Sequence, residues 1–308
     1  MRNLILVILL LSVTAVWGWT FVVVKEATEV YGVVPFLAVR FTIGAALLAC
    51  VAARRITRKS LLIGAGIGVV LAAAYSFQTF GLKWTTPTMC GLITGLFVLF
   101  APMASRLIFG VRTAGIFWVA AAASVLGLIL VTGWVTIDTG GSGFPLRFGA
   151  EAGPVTWDNL RGDLLTLCCA VCLGVHIALL DRAAKRYDPT VLAFAQLASA
   201  AVCFWLMVPL SKGISWPTPP VWFALIVTGV LASAVAFLIQ THVQQRLSPV
   251  RTAVIICMEP VFATLFGYWL AGDRLGWLQV VGAVVMVGSV LLAEISSVVL
   301  AARRVQSG

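Results

Sequence analysis

The sequence predicts an all-α integral membrane protein with ten transmembrane helices arranged as two inverted five-helix repeats. Three observations predict it: a shortage of charge, ten apolar runs of bilayer length, and an echo between the two halves. Of the 308 residues, 61% are hydrophobic and only 10% are charged, and the mean hydropathy is +1.06. A soluble domain keeps about a quarter of its residues charged so that its outside can face water. This chain cannot cover such a surface, so its natural solvent is lipid.

The apolar runs lie near residues 4–24, 34–53, 61–81, 85–106 and 113–134, then 162–181, 190–210, 221–243, 251–271 and 276–298. Each approaches the ~20 residues that a helix needs to cross hydrocarbon. Polar and apolar residues do not alternate in ten-residue units, which excludes a transmembrane β-barrel. The first run follows Arg2, but "TAVWGWTFVVVK" offers no small-x-small cleavage site, so it reads as a retained helix ending at Lys25. The third carries "GAGIG", where small residues allow close helix approach. The fourth and ninth contain Pro102 and Pro260, candidate helix breaks. The sixth contains "CCAVC". Thiolates are disfavoured in lipid, and the seven cysteines are scattered through apolar runs, so they read as packing residues, not a metal or disulfide framework. The polar stretch 135–161 divides the chain into a first repeat (1–134), an external linker, a second repeat (162–298) and a cytoplasmic tail (299–308).

The net charge of +10 does not imply nucleic acid, because the cations come in short clusters between apolar runs. With both termini in the cytoplasm, fourteen fall inside: Arg2, Arg54, Arg55, Arg58, Lys59, Arg106, Arg112, Arg182, Lys185, Arg186, Arg246, Arg251, Arg303 and Arg304. Six fall outside: Lys25, Lys83, Arg147, Arg161, Lys212 and Arg274. That bias is the positive-inside signature. Five runs per half then give the halves opposite orientations.

The halves also echo one another in order. "SFQTFGLKWTTP" parallels "FLIQTHVQQRLSP", and "APMASRLIFG" parallels "EPVFATLFGY", which sets Pro102 against Pro260. Trp17 and Gly18 align with Leu173 and Gly174, and Arg40 then falls on Gln196. Inverted repeats enclosing a site near mid-membrane are a recurrent transporter architecture.

Several pieces together resemble the EamA-type transporters of the drug/metabolite transporter superfamily. They are "VWGWTFVVVK", "PFLAVRF", "FQTFGLKWTTPTMCGLITGLFVLFAP", "RGDLLTLCCAVCLGVHIALLDRAAKR", "ALIVTGVLASAVAFLIQTHVQQRLSP", "EPVFATLFGYWLAGDRL" and "VVGAVVMVGSVLL". The resemblance implies two five-helix inverted repeats around a central cavity, usually for export of amino acids, related metabolites or drugs. Where the family segment ends in Glu, this chain has Asp273 and keeps the charge.

An ionisable residue inside a span is costly and needs a reason. Arg40 lies roughly 10 Å below the outer edge of its helix. It is either a cavity cation for an anionic group or a side chain snorkelling to the headgroups, and the short depth favours the snorkel. Glu259 lies roughly 12 Å from the inner surface. It is either a proton site, because burial disfavours the charged form, or an acid satisfying backbone groups around Pro260. An Arg40–Glu259 ion pair is disfavoured by depths that differ by about 8 Å. His176 is a candidate for substrate contact, with a hydrogen-bonded packing role the commoner alternative; His242 sits nearer the interface. Trp17, Tyr75, Gln78, Thr79, Gln240 and Thr241 offer flat apolar walls and hydrogen-bonding groups, against a plain helix–helix role. No Walker loop, G-x-S-x-G or H-E-x-x-H occurs.

The sequence therefore predicts a secondary transporter of small metabolites, an exporter of amino acids or related compounds in a bacterial inner membrane, working by alternating access without a cofactor. Its expected partners are a small-molecule substrate and the bilayer, with oligomeric state open. A sugar-phosphate, nucleotide-sugar or drug carrier is the nearest alternative; an intramembrane enzyme or a structural membrane protein is the alternative of another class.

Overall fold

Inside hydrocarbon a backbone must satisfy its own N–H and C=O groups, and a helix does so within one segment. The structure is a computed structural model that describes residues 2–110, 115–132, 135–137, 146–148, 156–211, 213–247, 252, 255–289 and 292. The expected tail over 299–308 and the end of the tenth apolar run lie outside these residues.

The first half comprises α1 (Arg2–Tyr31), α2 (Val33–Ala52), α3 (Arg58–Leu82), α4 (Pro87–Thr94), α5 (Phe97–Phe109) and α6 (Gly115–Val131). In the second are α7 (Trp157–Ala184), α8 (Pro189–Met207), α9 (Pro219–Ile226), α10 (Ala236–Arg246), α11 (Glu259–Phe266) and α12 (Trp277–Ser289). A π-helical stretch, Val227–Val235, joins α9 to α10. Seven helices among the described residues are long and apolar enough to cross a membrane, including Pro87–Phe109 and Pro219–Arg246 as continuous spans, and two shorter apolar helices are Trp118–Val131 and Trp277–Ser289. Between the halves, two three-residue strands, β1 (Val135–Ile137) and β2 (Leu146–Phe148), pair antiparallel, a detail that sequence pattern alone did not reveal.

Helix starts follow local chemistry. The Thr57 hydroxyl accepts from Ser60 N–H and starts α3, and Thr86 followed by Pro87 starts α4. Thr156 and Asn159 form a capping box. That box starts α7 at Trp157, ahead of the apolar run at 162. The Asp188 carboxylate accepts from the backbone N–H groups of Thr190 and Val191 and starts α8. Gly32, at φ 88°, makes the tight corner between α1 and α2 that residues with a Cβ rarely adopt. In the fourth apolar run the interruption lies at Gly95 and Leu96, and Pro102 sits inside α5; Pro260 sits in the first turn of α11.

The halves do not sit side by side as separate bundles. α3 lies against α7 and α8, α2 against α8 and the π-helical stretch, α1 against α11, and α5 against α7. Small residues make these approaches possible. A Cβ on Gly18 of α1 would stand 2.6 Å from Phe262 Cβ, and one on Gly174 of α7 would stand 2.4 Å from Phe100 Cβ. The first helix of each half thus meets the proline-bearing helix of the other half. α6 and α12 pair through Gly127 and Gly282, with Ser124 Oγ donating to Ser289 Oγ at 3.2 Å. Large apolar side chains such as Leu107, Leu206 and Val284 are exposed on the outside, as a lipid-facing surface requires.

One end of the bundle is laced by polar contacts. Lys25 Nζ donates to Thr85 O at 2.7 Å, and the Thr85 hydroxyl donates to Asp163 Oδ1 at 2.7 Å. Nearby, Asp273 Oδ2 accepts from the backbone N–H of Thr88, so its charge serves the start of α4.

The α3–α8 contact gives a first prediction. A Cβ on Gly68 would stand 2.4 Å from the backbone oxygen of Gln196, whereas one on Gly66 would meet nothing within 4 Å. Gly68→Val is expected to destabilise the fold by about 1–3 kcal/mol or more, and Gly66→Ala to leave it intact. Thermal melting of the two variants in detergent checks the contrast.

Candidate functional site

Three helices turn the same kind of face to one central cavity. Trp17, Thr20, Phe21 and Val24 of α1, Tyr75, Gln78, Thr79 and Leu82 of α3, and Leu173, His176 and Ile177 of α7 line it. Each set recurs at three- and four-residue steps, the spacing of one helix face. Arg40 of α2, Phe97 of α5, Phe237 and Gln240 of α10, Glu259 of α11 and Ile256 just before that helix complete the wall, around about 620 Å³ of space between atoms. Seven of the helices contribute, from both halves.

Arg40 does not snorkel. It is 2% exposed, its Nε donates to Ser233 Oγ at 3.0 Å, and its guanidinium carbon lies 4.8 Å from the Tyr75 ring centroid and 5.5 Å from that of Phe41. The outward reach favoured from depth alone loses to these partners, which lie across the bundle on α3 and the π-helical stretch. A desolvated cation–π contact contributes up to about 2 kcal/mol, and a hydrogen bond to a charged group about 1.5–3 kcal/mol. These offset part of the several kcal/mol needed to bury a charge. Tyr75 also shares a side-chain hydrogen bond with the guanidinium, which faces the cavity.

Glu259 is the opposite pole. It is 6% exposed, in the first turn of α11, where the helix N-terminus favours negative charge. No donor pairs with its carboxylate among the described residues, so it does not satisfy the backbone around Pro260. No ion pair joins it to Arg40, and Tyr75 lies within electrostatic reach of both.

The remaining polar groups divide cleanly. His176 Nε2 lies 2.7 Å from Gln196 Oε1, both buried, so the ring is held by the residue that the repeat sets against Arg40. Gln78 Nε2 donates to Thr94 Oγ1 at 3.4 Å. Gln240 Oε1 is buried without a donor, in a side chain that lines the cavity. Thr241 turns its hydroxyl back to Phe237 O and does not line the cavity, and His242 binds Leu238 O at the far end of α10. Pro102 and Pro260 also lie off the lining; Gly95 packs against the Pro260 ring. Among the described residues no group of three or more His, Cys, Asp and Glu side chains converges to hold a metal.

The EamA-like transporter family profile matches residues 4–133 and 160–295. The chain belongs to the EamA-like transporter family. An uncharacterized transporter of Archaeoglobus fulgidus is 30% identical over 287 residues, covering 92% of this chain and 83% of that one. The uncharacterized transporter YcxC of Bacillus subtilis is 22% identical over 229 residues, 71% of this chain and 68% of its own. A solved crystal structure superposes with a TM-score of 0.64 at 20% identity, covering 94% of this chain and 95% of its own, and so shares the fold. This EamA protein is thus a multi-pass membrane transporter of the drug/metabolite superfamily.

Among the contributors to the EamA cavity that sequence pattern missed, three bear on its chemistry. Phe237 makes tilted or edge contacts with the rings of Trp17 (5.8 Å between ring centroids), Tyr75 (6.3 Å) and His176 (6.1 Å), and its position three residues before Gln240 was the available signal. Thr20 lies one turn from Trp17. Ser233 holds Arg40 from a run of small residues that carries no signal by itself.

Trp17 Nε1 donates to Ala232 O at 2.9 Å, inside the π-helical stretch. Trp17→Phe keeps the ring contact with Phe237 but loses that bond. It is expected to cost about 1 kcal/mol of stability, read as a lowered melting midpoint in detergent.

Proposed function

We propose that this transporter is a secondary carrier that exports amino acids or related small metabolites across a bacterial inner membrane by alternating access. One observation carries the reading: a single cavity between the halves presents a buried cation, Arg40, and an acid without a partner among the described residues, Glu259. A zwitterion answers both, its carboxylate meeting Arg40 and its ammonium meeting Glu259. The Trp, Tyr and Phe walls of the cavity suit an apolar side chain.

The ten-helix, two-repeat arrangement belongs to the same proposal. It is supported by the two matched segments and by the reciprocal contacts of Gly18 with α11 and Gly174 with α5. Both termini then lie in the cytoplasm, a reading supported by the distribution of basic residues. In alternating access the two halves rock about the site, and small residues at α1–α11 and α5–α7 make surfaces that slide. Glu259 serves as the proton-coupling residue, since its carboxylate sits in the substrate's path.

A sugar-phosphate or nucleotide-sugar carrier needs several cations in the cavity, and Arg40 is the one that lines it among the described residues.

Counterflow in sealed proteoliposomes preloaded with mixed amino acids tests the reading. Saturable exchange of amino acids is expected, and exchange of none of them by folded protein contradicts it. Arg40→Gln is expected to weaken substrate at least about tenfold, the loss of one charge-assisted bond. Glu259→Gln is expected to abolish dependence on a pH gradient; unchanged dependence removes Glu259 from coupling.

A further inference from the structure

A second concavity, of about 840 Å³, opens at the end of the bundle opposite the Lys25–Thr85–Asp163 contacts. Three separate chain segments from both halves surround it: the α2–α3 connection, the α7–α8 connection and the last turn of α10. Its wall carries Arg55, Lys185, Arg186, His242 and Arg246, with Asp188 the one acid among the described lining residues.

That acid is already engaged. Asp188 Oδ1 accepts the α8 backbone N–H groups, and Oδ2 lies 3.7 Å from Arg55. Lys185 is held by Asp181 at 2.7 Å. Arg186 and Arg246 face the same space with no carboxylate partner among the described residues. His242 Nδ1 lies 2.8 Å from Leu238 O, which can only accept, so Nδ1 carries the proton and Nε2 is left for the concavity.

Like charges gathered in one hollow repel each other, and an anion removes the repulsion. Two guanidinium forks present planar pairs of N–H donors, which match oxygens that share one centre and more than one negative charge. We propose that this concavity binds a phosphate group, carried by an anionic lipid headgroup of the adjacent leaflet or by a soluble phosphate. A positive-inside bias alone scatters cations along an end of the bundle. Here segments distant in sequence bring them to one hollow, while Arg58 and Lys59 of the same end stay outside it. The site shares no residue with the central cavity, so it stands or falls apart from the transport reading.

The test is a thermal melt of the purified full chain in neutral detergent at fixed ionic strength. Inorganic phosphate, short-chain phosphatidylglycerol and short-chain phosphatidylcholine are titrated separately. A saturable rise with phosphate or phosphatidylglycerol, absent with phosphatidylcholine, is expected. A response to phosphatidylglycerol alone assigns the headgroup, and a response to phosphate assigns a soluble ligand. The Arg186→Gln, Arg246→Gln double variant is expected to weaken the response at least about tenfold, and the Arg58→Gln, Lys59→Gln double variant to keep it. No saturable rise from either phosphate probe overturns the proposal. So does an equal loss in both double variants, which would make the effect one of general charge at that end.

Discussion

A backbone that leaves the α-helix inside a bilayer must find its hydrogen bonds in protein, and the π-helical stretch Val227–Val235 is where this chain meets that constraint. Its wider pairing opens the ladder, and the Trp17 indole donates to the carbonyl of Ala232 there. One residue further, Ser233 takes the Nε bond of Arg40. The stretch lies in the second half, while Trp17 and Arg40 belong to the first two helices. The same irregularity thus seats two walls of the cavity and ties the halves together across it. Gly44 of α2 and Gly229 of the stretch allow this approach, since added Cβ atoms there would stand within 3.2 Å of Gly229 O and 2.9 Å of Ile43 Cβ.

Much of this was legible in the sequence. Charge scarcity and run length gave the helices, and seven residues offered for the cavity, from Trp17 to Gln240, line one space together with Glu259, because polar residues on apolar helices have few other places to go. The side to which Arg40 reaches was not legible. Depth along one helix says nothing about a serine and a tyrosine supplied by other helices. Interruptions were half legible: Pro260 stands in the first turn after its break, whereas the break in the fourth run falls at Gly95, which packs on Pro260 instead of carrying a proline itself. Thr241 illustrates the limit of symmetry. It mirrors Thr79 in the repeat, yet its hydroxyl returns to its own helix, as Thr does when no partner faces it.

The two ends of the bundle differ in kind. Where Lys25, Thr85 and Asp163 meet, polar groups are paired and the helices are held close, with Gly81 and Gly162 in contact. At the other end cations outnumber their partners and surround an open hollow. Between them, α10 carries Gln240 at the cavity and Gln244 one turn further on, each with a buried carbonyl oxygen lacking a donor.

The central claim is that Arg40, held by Ser233 and Tyr75, recognises a carboxylate in the cavity. Counterflow of amino acids against their carboxyl-amidated analogues in proteoliposomes tests it most directly. The account predicts saturable exchange of the free acids and loss of exchange when the carboxylate is blocked. Equal exchange of acid and amide would contradict it, because the buried cation would then take no part in recognition.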